Sequence, residues 1–105
     1  MRSAPLVLLA LAALPSACGG ATAVSPAMLD AAKKRWPDAS VESLERGRAT
    51  FSKRCRECHR LPQPASHTSQ EWTKILGKMS KLAKLDPEQK DDVLRYLVAA
   101  REARQ

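Results

Sequence analysis

The sequence predicts an all-α domain of three or four helices with no strand. Three observations predict it. Apolar residues recur at helical spacing in three stretches, Val41 to Phe51, Trp72 to Ala83 and Val93 to Ala100. Each stretch follows residues that start helices: Ser40, then Thr68 with Glu71, then Asp86 with Pro87. The chain has 105 residues, which leaves room for one small domain once its first stretch is set aside.

That first stretch is an export signal. Met1 and Arg2 form a short positive region, Pro5 to Leu14 is a nearly unbroken apolar run, and small residues follow. The run is ten residues long, against roughly 20 for a membrane-spanning helix. Two cleavage points compete. Leu14-Pro15-Ser16-Ala17-Cys18-Gly19-Gly20 resembles the lipobox of bacterial lipoproteins, with Pro15 where that motif has Leu. This implies a signal peptide 1–17 and a lipid-bearing Cys18. Ala21-Thr22-Ala23 is an Ala-x-Ala pattern that makes the signal 1–23 and releases a chain beginning at Val24.

Residues 18–39 then read as a tether holding one short helical segment, Met28 to Trp36, ended by Pro37. The domain proper is expected over 40–105. Ser40 caps the first helix, in which Val41, Leu44 and Phe51 share a side. Gly47 stands inside that helix, where it costs roughly 1 kcal/mol against alanine, so a close contact with another helix is expected there. Beyond His59, Pro62 and Pro64 make a loop reaching His67. Thr68-Ser69-Gln70-Glu71 has the form of a capping box. Trp72, Ile75, Leu76, Met79, Leu82 and Ala83 continue at helical spacing, while Lys74, Lys78, Lys81 and Lys84 lie roughly 100 to 160° from Met79 around the axis. Asp86 as cap and Pro87 at the first helical position open the last helix. Val93, Leu94, Tyr96, Leu97 and Ala100 supply its buried side.

The chemistry is concentrated in Cys55-Arg56-Glu57-Cys58-His59. Cys-x-x-Cys-His is the attachment sequence for a covalent haem: two thiols form thioethers to the porphyrin and the adjacent histidine ligates the iron. Cys55 and Cys58 are the thioether positions and His59 the proximal axial ligand. Other readings of the pair are poorer. Zinc usually takes four ligands, and once Cys18 is lipidated or removed only His59 and His67 remain to complete a site. A thioredoxin-like pair belongs at the head of a helix after a strand, and no strand-like run precedes Cys55. A disulfide suits an oxidising compartment but gives no role to His59.

On these residues, 40–105 resembles a class I c-type cytochrome, a small mono-haem domain of three to four helices wrapped around one covalently attached haem. In that family a glycine and an aromatic residue four positions later on the first helix cross an aromatic residue on the last helix. Gly47, Phe51 and Tyr96 match those places. The resemblance implies a second axial ligand, usually methionine. Met79 lies on the apolar stripe with Trp72 and Ile75; His67 is the alternative, and Met28 also remains. Only 19 residues separate His59 from Met79, fewer than in most such domains. Trp72 is expected to pack on the haem edge or to serve as ordinary core.

Charge and size complete the expectation. The chain carries +7; removing residues 1–17 takes away only Arg2, and 17 basic against 11 acidic residues leave +6. The lysine row then reads either as a solvated helix face or as a docking surface for an acidic redox partner. No nucleic-acid motif is present. The segment 40–105 is too small for a comfortable core of its own, and haem would complete that core. The reading is a monomeric periplasmic electron carrier with iron as its redox centre, lipid-anchored if Cys18 is modified, and not an enzyme. The alternative is a haem enzyme or gas-binding sensor with an open distal site.

Overall fold

The computed structural model describes residues 21–55 and 60–104, and these form four α-helices and one 3₁₀ turn. Helix α1 is Pro26–Arg35, α2 Val41–Arg54, α3 Ser69–Leu82 and α4 Pro87–Glu102; the 3₁₀ turn is Pro64–Ser66. Among the described residues there is no strand, and no helix is long and apolar enough to cross a membrane.

The helix starts follow from local chemistry. Ser25 accepts from the Met28 N–H, with Pro26 in the first turn of α1. Ser40 and Ser43 cap α2 reciprocally. At α3 the Glu71 N–H donates to the Thr68 hydroxyl at 3.1 Å and the Thr68 N–H to the Glu71 carboxylate at 3.0 Å. Asp86 and Gln89 do the same for α4. Each exchange satisfies two backbone donors that the first turn cannot.

Helix α4 is the centre of the domain, packing against α1, α2, α3 and the 3₁₀ turn. Val93, Tyr96, Leu97 and Ala99 are fully buried along it. The close contact expected at Gly47 is with this helix. A Cβ built on Gly47 would stand 2.1 Å from the Asp92 carbonyl oxygen and 2.8 Å from the Tyr96 Cβ. Beside the crossing, Phe51 and Tyr96 rings lie 6.0 Å apart at 44°. The Arg46 guanidinium donates to the buried Asp92 carboxylate at 2.9 Å and closes the crossing's other edge.

The short helix expected within 18–39 is α1, and it is part of the packed core rather than a stand-off. Met28, Ala32 and Ala39 are buried with the α4 residues. Arg95 of α4 fixes the α1–α2 turn, donating to Asp38 at 3.0 Å while its guanidinium lies 5.4 Å over the Trp36 ring. Two residues counted on apolar faces are exposed instead, Val41 at 46% and Leu82 at 63%. Both sit at the tip of their helix, where periodicity continues but no neighbouring element is left to cover them.

Helix α3 ends in a Schellman-type turn, in which the Leu85 N–H donates to the Ser80 carbonyl and the Lys84 N–H to that of Lys81. Lys84 takes φ 55 there, the left-handed conformation that disfavours a Cβ. Lys84→Gly is therefore expected to stabilise the protein by about 0.5–1 kcal/mol. The check is a thermal melt: a midpoint a few degrees higher is expected, and a lower one contradicts the assignment of strain.

Candidate functional site

The stripe Trp72, Ile75, Leu76 and Met79 faces inward from α3 and forms one wall of a cleft. Phe51 and Cys55 come from α2, Leu97 from α4, and Pro62 and His67 from the intervening loop. The space among them is about 200 Å³ and opens to solvent on one side. That is smaller than the roughly 300–1,000 Å³ of closed small-molecule and cofactor sites, so a larger group would extend through the open side. The lining is apolar apart from the Cys55 thiol and the His67 imidazole.

Each wall is tied down. Cys55 caps α2, its N–H donating to the Phe51 carbonyl, so the first cysteine of the motif is carried to the rim by a regular helix end. One residue earlier, Arg54 donates to the Ala83 carbonyl, holding the ends of α2 and α3 together across the cleft. The Trp72 indole N–H donates to the Pro64 carbonyl at 2.8 Å and anchors the loop to α3. Arg101 donates to the His67 carbonyl at 2.7 Å, tying the loop to α4. Ser69 donates to the Glu102 carboxylate, which also pairs with Arg35.

His67 is half-buried, with its ring edge-on to Trp72 at 4.8 Å between centroids and its Nδ1 3.6 Å from the Glu71 carboxylate. The capping hydrogen bond from the Thr68 N–H holds the Glu71 pKa below the ordinary glutamate value, with the Thr68 hydroxyl and then His67 adding to the effect. This carboxylate is a partner competing for the imidazole at the cleft rim. Met79 is a half-buried member of the same lining.

Of the residues singled out by sequence, Cys55, His67, Trp72 and Met79 all line this one cleft. Cys58 and His59 lie outside the described residues, as do Cys18 and the export signal 1–17. Met28 is buried in the core and is not a lining residue. The structure adds Pro62 and Leu97 to the lining. Ile75 and Leu76 were legible from the helical stripe, and Leu97 as a buried residue of the last helix, but nothing local marks Pro62 or Leu97 as part of a cleft. Among the described residues, no group of three or more His, Cys, Asp or Glu side chains is arranged to hold a metal ion. The chain matches no protein family, no curated protein and no solved structure.

Proposed function

We propose that the chain is an exported mono-haem c-type cytochrome that carries single electrons between redox partners. The observation that carries the reading is the meeting of one residue of the Cys-x-x-Cys-His motif with an apolar cleft. Cys55, the first residue of the motif, lines a cleft whose walls offer a thioether and an imidazole and otherwise carbon. These donors suit haem iron, and the apolar walls suit the porphyrin faces.

Cys55 and Cys58 would hold the group covalently and His59 would be its proximal ligand, with Met79 as the distal ligand and His67 the alternative. Bound haem supplies one-electron exchange between ferric and ferrous iron. The chain's own residues supply the setting. Phe51, Leu76 and Leu97 exclude water from the cleft, and Trp72 keeps the loop closed over it through Pro64. Lys74, Lys78 and Lys81 are exposed on the outer side of the helix that forms the cleft wall. They suit an acidic partner approaching by electrostatic steering, in the transient manner of redox encounters.

Optical spectra of the exported protein, oxidised and reduced, with and without carbon monoxide, test the reading. A covalent haem with six-coordinate low-spin iron indifferent to carbon monoxide is expected. Met79→Ala should turn the iron high-spin and open to carbon monoxide, whereas His67→Ala should leave the spectrum unchanged. A protein without covalent haem sinks the proposal. Prompt carbon monoxide binding by the unaltered protein would instead favour the open-site enzyme or sensor, and an effect confined to His67→Ala would move the distal ligand to the loop.

A further inference from the structure

The segment ahead of α1 lies across the crossing of α2 and α4 as a strap. Arg48 of α2 donates two N–H groups to the Ala21 carbonyl, at 3.3 and 3.2 Å. Tyr96 of α4 donates its hydroxyl to the Thr22 carbonyl at 2.6 Å. Ala21 and Val24 pack on the core cluster. Tyr96 is the same residue whose Cβ closes on Gly47, so the strap is bolted to the tightest point of the fold. Burial pushes the Tyr96 phenol up to about 12, and it remains a donor throughout the ordinary pH range.

This arrangement bears on the two competing cleavage points. Cleavage after Ala23 removes both carbonyls, strips Ala21 from the core, and leaves Arg48 and Tyr96 without these acceptors. Cleavage before Cys18 keeps every one of these contacts. We infer that the mature protein retains Ala21 and Thr22 as a structural strap, and hence that the Ala17–Cys18 bond is the one cut on export. A signal peptidase hydrolyses that bond, water completing the Ala17 carboxyl group and the new α-amine of Cys18. The inference rests on the export reading and not on haem.

The consequence is a short leash. Only Gly19 and Gly20 separate Cys18 from the strap. Three residues extended span roughly 10 Å. A lipid on Cys18 would therefore hold the domain against the membrane surface in a restricted orientation, with 21–24 part of the fold instead of slack in a tether.

Two measurements test the inference. The intact mass of the protein exported under its own leader reads the mature N-terminus whether or not the protein is coloured. A start at Cys18 is expected; a start at Val24 overturns this inference alone, and one at Met1 overturns the export reading with it. Tyr96→Phe is then compared in the protein starting at Cys18 and in one made to start at Val24. The folding equilibrium constant should fall about fivefold in the longer chain, the effect of one net hydrogen bond, and stay unchanged in the shorter. An equal fall in both removes the strap.

Discussion

On the haem proposal, exchanging Cys55 and Cys58 together for alanine is expected to give an exported chain that carries no covalent haem and does not unfold cooperatively. The loss of colour follows from chemistry: without thiols there are no thioethers, and haem rinses out on denaturation. The loss of folding follows from size. The described core is three helices packed around α4, and the cleft within it presents Phe51, Trp72, Leu76 and Leu97 to a space of about 200 Å³. Left open to water, that surface forfeits about 25 cal/mol for every Å² of apolar area that a planar group would otherwise cover. A domain of this length has only a few kcal/mol to lose. The double variant should therefore show a featureless visible spectrum and a broad, shallow helical melt by circular dichroism. A sharp transition at ordinary temperature would mean that the helices support themselves, and the case for a cofactor-completed core would fall with it.

Gly47→Ala is expected to be strongly destabilising. The added Cβ would stand 2.1 Å from the Asp92 carbonyl oxygen, 2.7 Å from its carbonyl carbon and 2.8 Å from the Tyr96 Cβ. Two of these are backbone atoms in the middle of α4 and no rotamer change can move them. The helices must separate, which loosens the Arg46–Asp92 pair, the Phe51–Tyr96 contact and the floor of the strap together. Overpacking of this kind costs typically 1–3 kcal/mol and occasionally more. Alanine returns at most about 1 kcal/mol in helix propensity. With both helix backbones in the clash, a net loss of about 2 kcal/mol is expected, which corresponds to roughly 8–16 °C in melting temperature for a domain of this size. Gly77→Ala is the matched control, because a Cβ there meets nothing within 4 Å. It should gain stability through propensity alone, by roughly 0.5–1 kcal/mol. If both glycines respond alike, the crossing is not the tight point described.

The helix starts were legible because capping is local. Ser40, Thr68 with Glu71, and Asp86 with Pro87 act on backbone groups within three residues, so the chain states them directly. Gly47 was legible through its spacing to Phe51 and its match with Tyr96; helix weakening alone does not mark such a contact, since Gly77 weakens α3 and a Cβ there meets nothing within 4 Å. The stripe from Trp72 to Met79 was legible as one face because helical geometry sets the angle between its members. The same periodicity overcounted Val41 and Leu82, since it carries no information about where the neighbouring helix stops. Helix α1 was legible as a short helix but not as core. Its buried residues are Met28 and Ala32, and two buried positions in ten residues give little signal until a partner surface is in place.

By itself, then, the sequence determined an all-α class, the starts of α2, α3 and α4, and the Cys55–His59 motif on which the haem proposal rests, whereas the Ser25 cap and Pro26 start of α1, two residues ahead of the expected Met28, went unread. Only the tertiary structure decided that Cys55, His67, Trp72 and Met79 share one cleft, and that Pro62 and Leu97 complete its lining. It alone decided that residues 21 and 22 are bolted to Arg48 and Tyr96. The physical reason is the same throughout. Caps, periodicity and motifs are written in side chains a few residues apart, whereas the strap is held by backbone carbonyls that every residue possesses. The cleft is the space left between helices, and no single segment of the chain encodes it.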